Sequence, residues 1–198
     1  PGIYSLSPYT LEEVVSRDYL LKERPEAVIN LVDATNIERN LYLTSQLLEL
    51  GIPVVIALNM SDLLAKKGDQ IDTERLSGIF GCQVVETSAL KGTGLKEVTD
   101  QAVAAAKGQK WKAPGHVFPA RVESAILKAE EALGDRVEPS LRRWYAIKLL
   151  ERDPRAEADL NLPPSAMASI RTEAESLEKD MDDDTESIIT DARYGYIG

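Results

Sequence analysis

Three stretches of the chain are apolar without polar alternation: 27–32 (AVINLV), 53–58 (PVVIAL) and 83–86 (QVVE). Such runs predict strands covered on both faces, as in a parallel sheet. Helical patterns separate them. Thr10-Leu11-Glu12-Glu13 reads as a capping box, in which the Thr10 hydroxyl and the Glu13 carboxylate answer two backbone N–H groups, and a helix is expected to run on to about 23. Residues 36–50 carry Ile37, Leu41, Leu43, Leu47, Leu48 and Leu50, with Gly51 as the expected C-terminal cap. A shorter helix fits 72–80, ending at Gly81, and another fits 95–106, with Thr93 as its expected cap. Strand and helix alternating three times is the doubly wound α/β pattern.

The pattern changes near GQKWKAPGH, 108–116, where Gly, Pro and Lys collect as in a linker. No strand-like run follows. Helices are expected over about 119–133, 140–151, 164–180 and 184–195, with Pro163-Pro164 opening the third. Trp144 is expected to pack inside this helical part rather than to bind a ligand. The division predicted is therefore 1–110 and 111–198.

Composition narrows the function classes. The 198 residues are 43% apolar and 28% charged, enough to bury a core, and the net charge is −10. That acidity argues against a nucleic-acid partner, whose backbone calls for clustered Lys and Arg. Cys82 is the single cysteine, so no internal disulfide forms, which fits a reducing compartment. No run approaches membrane-span length and no signal peptide is visible. A start at Pro1 rather than Met hints at a fragment.

One strand ends abruptly. In VVIALNMSDLL, 54–64, an aliphatic run gives way to Asn59, Met60, Ser61 and Asp62. Doubly wound sheets bind ligands beyond the carboxyl ends of their strands. A carboxylate at Asp62 could accept from two adjacent N–H donors on a planar base, the pair guanine offers at N1–H and its 2-amino group. Adenine presents an acceptor there, and a site built to bond such donors rejects the analogue lacking them by ~10⁴-fold or more. Asn59 could tie the loop down and donate to the base, and Met60 could lay its stem on a base face. An ordinary surface turn also accommodates Asn, Ser and Asp. The next strand leads into ETSALKGTG, 86–94, where the Ala89 N–H could reach the guanine carbonyl oxygen and Ser88 could brace the loop. An ordinary Ser/Gly turn would account for that stretch alone. Two such loops on successive strands are less easily dismissed.

Taken together, Asn59-x-x-Asp62 and Ser88-Ala89 resemble the base-recognition set of Ras-like GTPases. The opening PGIYSLSPYTLEE and the stretch DATNIERNLYLTSQLLELGIPVVIALNMSD look like one branch of these, the ferrous iron transport protein B (FeoB) family. RRWYAIKLLE and the terminal DARYGYIG resemble the helical domain that follows in that family. The resemblance implies a Ras-like (P-loop GTPase) sheet lacking its first three strands, followed by an all-α domain. It implies guanine contacts at Asn59, Met60, Asp62, Ser88, Ala89 and Leu90, with GTP or GDP as ligand. It also implies a place on the cytoplasmic side of the bacterial inner membrane, a transmembrane domain of the same protein as partner, iron uptake coupled to GTP hydrolysis, and a homo-oligomer as a further option.

The earlier half of the family pattern is missing. No G-x-x-x-x-G-K-[ST] occurs, so the ligands of the Mg²⁺ expected in the full-length protein are absent. Of the switch II motif Asp-x-Pro-Gly only Pro1 and Gly2 remain, and Gly2 matches the residue whose N–H faces the γ-phosphate. No catalytic or metal-binding residue is assigned, and this chain alone is expected to bind weakly and not to hydrolyse GTP. The strand at 27–32 is expected to present a bare edge. A sequence cut short is the expectation. A separate chain supplying the strands, or pairing of the edge with another molecule, stays open. The alternative function is a nucleotide-independent protein-binding fragment, and a third reading is an unrelated α/β enzyme with a coincidental Asn-x-x-Asp. The acidic run DMDDDTE, 180–186, is read as a solvated loop and helix start rather than an iron site. His116 is read as a linker residue, and Cys82 as a small buried hydrophobe.

Overall fold

The structure is a computed structural model that describes residues 2–7, 9–108 and 118–198. Pro1, most of the predicted linker and His116 lie outside the described residues. The chain divides into two compact units, Pro1–Gly115 and His116–Gly198.

The first unit is built on a parallel sheet of three strands, β1 (Val28–Asp33), β2 (Val54–Asn59) and β3 (Gln83–Glu86), in the order β1-β2-β3. The register pairs Val28 with Val54 and Asp33 with Asn59, then Val55 with Gln83 and Leu58 with Glu86. Helices α1 (Leu11–Glu23), α2 (Ile37–Glu49), α3 (Ser61–Lys67), α4 (Thr73–Phe80) and α5 (Leu95–Ala106) connect and cover it. β2 is central, and Val54 through Leu58 are buried without exception. That is why its sequence is unbroken apolar: neither face meets water. Val55 and Ala57 pack with Val85 against Val98 and Ala105 of α5. From α2, Leu41, Leu47 and Leu48 are buried, and Asn30 Nδ2 on β1 donates to Thr44 Oγ1 on α2 at 2.6 Å. Fully burying each such aliphatic side chain contributes about 1.5–3 kcal/mol against the entropy of ordering the chain.

The capping box opens α1 as expected, with Glu13 N–H donating to Thr10 Oγ1 and Thr10 N–H to Glu13 Oε2. The segment before it is pinned by Leu6, whose N–H donates to the buried Gln46 Oε1 at 2.7 Å. Asp72 and Gly81 bound α4 at the predicted positions. β1 is the sheet edge, and it carries exposed Ile29 and Leu31. Cys82 is buried, which pushes its thiol up to about 12 and keeps it protonated.

The second unit is helical: α6 (Ala120–Leu133), α7 (Pro139–Leu150), α8 (Pro154–Leu160), α9 (Pro164–Met181) and α10 (Thr185–Ile197). Val122, Ile126, Ala129 and Leu133 form a completely buried stripe on α6, the helical spacing of a core-facing surface. Trp144 is fully buried, as predicted, edge-on to Tyr145 with ring centroids 5.0 Å apart. The acidic run divides as a helix boundary: Asp182 ends α9 in the left-handed region and Asp184 caps α10 through the Ser187 N–H. Two elements escaped the sequence reading. α3 and α8 have seven residues each, too few for an apolar period to register. The described residues contain no helix long and apolar enough to cross a membrane.

Candidate functional site

β2 and β3 run parallel, so they deliver their following loops to one edge of the sheet. Thr87 N–H donates to Leu58 O at 2.8 Å, extending the ladder one step beyond β3 and fixing the 88–94 loop beside the end of β2. Two side-chain bonds then join the loops. Asn59 Oδ1 accepts from the Ala89 N–H at 3.0 Å, and Ser61 Oγ donates to Thr87 O at 3.1 Å. Asn59 thus ties the loop as predicted. The Ala89 N–H, read from the sequence as a donor to a purine oxygen, is used within the chain in this conformation.

Between β2 and α3 the chain turns through Met60 at φ 65°, a left-handed backbone uncommon outside glycine, and the residue is 39% exposed. Ser61 and Asp62 are therefore not loop residues. They form the first turn of α3, where unpaired N–H groups and the helix dipole favour a carboxylate. The Asp62 side chain is 18% exposed, and its Oδ2 lies 3.0 Å from Lys91 Nζ. The Lys91 ammonium, with the Ser88 hydroxyl as a further partner, holds the Asp62 carboxyl below the usual carboxylate range.

The 88–94 loop closes on itself. Ser88 and Thr93 exchange both backbone hydrogen bonds at 3.2 Å, and Lys91 N–H donates to Ser88 O at 3.1 Å. Ser88 is buried, while Leu90 at the tip is 95% exposed. Thr93 was expected to cap the following helix, and it does not. Its backbone is spent on Ser88, and Gly94 takes the N-cap position of α5 at φ 75° with no side-chain bond.

Asn59, Met60, Asp62, Ser88, Ala89 and Leu90 are thus brought to one sheet edge. Gly2 instead borders a groove of about 560 Å³ along β1, with Tyr4, Val15, Tyr19, Ile29 and Leu31. Ser61 and Lys91 were missed. A signal for Lys91 existed, since it is the only cation between residues 86 and 94. The described residues contain no group of three or more His, Cys, Asp or Glu able to hold a metal ion.

A three-stranded parallel sheet with helices after each strand, followed by a helical unit, places the chain in the class of Ras-like G domains with an all-α extension. Comparison with known proteins carries this further. The family described as "Ferrous iron transport protein B" matches residues 1–102, and "FeoB cytosolic helical domain" matches 118–198. The chain belongs to the ferrous iron transport protein B family.

It is 41% identical over 213 residues to the Fe(2+) transport protein A/Fe(2+) transporter FeoB fusion protein of Porphyromonas gingivalis, covering 100% of this chain and 25% of that protein. It is 37% identical over 208 residues to the Fe(2+) transporter FeoB of Escherichia coli (strain K12), covering 98% and 25%. The chain therefore spans about a quarter of the length of the curated relatives it matches. Among solved structures, NFeoB from S. thermophilus bound to GDP.AlF4- and K+ has a TM-score of 0.95 and 45% identity, covering 100% of this chain and 77% of that one. The mGMPPNP-bound form of NFeoB from S. thermophilus gives 0.92 at 45% identity, covering 100% and 74%.

Proposed function

We propose that this chain carries the base-recognition side of a guanine-nucleotide-binding domain that regulates a ferrous iron transporter. One observation carries the reading. The Asn59–Ala89 hydrogen bond draws two loops together beside a half-sheltered carboxylate, Asp62. In this reading Asp62 accepts from the purine N1–H and 2-amino group. Ala89 N–H leaves Asn59 for the 6-oxo group, Asn59 then donates to the base, Ser88 braces the loop, and Met60 and Leu90 cover the base faces. Pro1 and Gly2 belong to the phosphate side. GTP and GDP are the nucleotides, supported by relatives whose solved forms hold GDP.AlF4- and mGMPPNP.

We assign 1–110 to the GTP-binding domain and 111–198 to a helical domain leading toward a transmembrane region of the same protein. The setting is the cytoplasmic side of the bacterial inner membrane. GTP hydrolysis coupled to iron uptake is proposed for the whole protein, as is assembly into a homo-oligomer. A second reading, a nucleotide-independent docking role, is favoured by one observation, the apolar and unpaired edge of β1.

Calorimetric titration with GDP, GTP, ADP and ATP separates the two. The base-site reading expects guanine-selective binding, weakened about 10- to 100-fold by Asp62→Asn, the loss of a charge-assisted hydrogen bond worth about 1.5–3 kcal/mol. GDP and ADP binding equally well would refute it.

A further inference from the structure

Lys91 sits on a loop tip yet folds back across the gap between loops, placing Nζ 3.0 Å from Asp62 Oδ2. Holding a long side chain in one place opposes its rotamer entropy, and an exposed ion pair returns little for it. One partner of this pair is sheltered, however. Lys91 is 52% exposed, but its partner carboxylate is only 18% exposed and sits at the first turn of α3. A partly desolvated carboxylate without a donor is unfavourable, and the ammonium removes that penalty. The second polar group of the site is answered in the same way, by Asn59 Oδ1 on the Ala89 N–H. A purine with a 6-oxo and a 2-amino group requires the same two groups: the carboxylate as acceptor and the amide as donor.

We propose that Lys91 is a competitor built into the base site: its ammonium holds the Asp62 carboxylate in place of the purine's N–H donors, a guanine base enters by displacing it, and Lys91 returns as the base leaves. This rests on the guanine-site reading and deepens it by separating two roles. Asp62 decides which base is accepted, because only a base with N–H donors on that edge replaces what the ammonium gave. Lys91 decides how tightly and for how long, because every entering base must displace it. The ammonium also keeps Asp62 ionised and aimed, so the site is ready as an acceptor whenever Lys91 swings away.

Calorimetry on the full chain with GDP and ADP, for wild type, Lys91→Ala, Lys91→Met, Lys91→Arg and Asp62→Asn, tests this. Lys91→Ala and Lys91→Met should bind GDP roughly two- to five-fold more tightly, the range that a pair of this exposure supplies. Their GDP-over-ADP preference should match wild type, and Lys91→Arg should behave as wild type. Added salt should narrow the difference between wild type and Lys91→Ala, since it screens the competing pair. Unchanged or weaker GDP binding in Lys91→Ala, with Asp62→Asn still lowering guanine selectivity, overturns the competitor and leaves the base site standing. Failure of wild type to prefer GDP over ADP overturns both. A readout without nucleotide stands beside these. By 13C NMR titration the Asp62 carboxyl should titrate higher in Lys91→Ala than in wild type, and coincident curves would remove the pair and the proposal with it.

Discussion

At position 94 a side chain has no room. Gly94 holds φ 75°, and a Cβ there would run into the carbonyl oxygen of Glu86 and approach Thr87 Cγ2 to 3.1 Å. The close approach joins the end of β3 to the start of α5, and the 88–93 loop hangs between them. Gly94→Ala should therefore cost clearly more than the left-handed penalty of about 1–2 kcal/mol and weaken GDP binding, whereas Gly92→Ala, at φ 70° in open space, should cost only that penalty. Denaturant midpoints with parallel GDP titrations check both, and equal effects on binding would contradict the assignment. At this scale Asn59, Asp62, Ser88 and Ala89 were legible, because residue type and spacing after a strand are local facts. Lys91 and Ser61 were not, because the contacts they make, Lys91 with Asp62 and Ser61 with the Thr87 carbonyl, join the first turn of α3 to the segment after β3, 26 or more residues away in the chain. The expected Thr93 cap failed for a similar reason: a competing bond to Ser88 was closer to hand.

Among the elements, β1 is the exposed risk. Ile29 and Leu31 project on one face of the sheet edge at 44% and 61% exposure, beside Val15 and Tyr19. Edge strands with apolar faces pair with other chains unless a charge blocks them. Leu31→Lys should reduce concentration-dependent association, read by light scattering, while changing stability by no more than about 0.5 kcal/mol. More association in the variant would refute this. The strands themselves were readable to within a residue, and β3 over its full length, because buried parallel strands need continuous apolar runs. α8 left a weaker trace: an Asp153 cap, Pro154 at its first position and Asn161 in the left-handed region at its end. α3 was masked because its first turn overlaps the residues that carry the proposed chemistry.

For the molecule as a whole, a buried ion cluster in the helical unit joins elements far apart in the chain. Glu151, at the end of α7, bonds Lys148 Nζ at 2.6 Å and Arg193 Nη1 on α10, and all three side chains are at most 8% exposed. Burial alone would raise the Glu151 carboxyl. Arg193 and Lys148 outweigh it and bring it down to about 2 from the usual 4.5. A depressed carboxyl contributes stability that is present above its unfolded value and lost as pH falls through its folded one. Unfolding should therefore become easier as pH drops from about 4.5 toward about 2. Glu151→Gln should cost about 3–5 kcal/mol at neutral pH, by leaving two buried cations facing each other, and should flatten that acid dependence. An unaltered acid profile in the variant would show that other groups set it. From sequence, Lys148 and Glu151 form only a helical i,i+3 pair, and nothing points to Arg193, 42 residues beyond Glu151.

By itself the sequence determined the strands, most of the helices, the change to an all-α second half and the residues at the two strand ends. Each of these follows from periodicity, turn chemistry or residue type within a few neighbours. Only the tertiary structure decided that Lys91 covers Asp62, that Ser61 braces Thr87, and that Arg193 closes on Glu151. These contacts join positions far apart in the chain, and their strength depends on burial and geometry that exist only once the elements have packed.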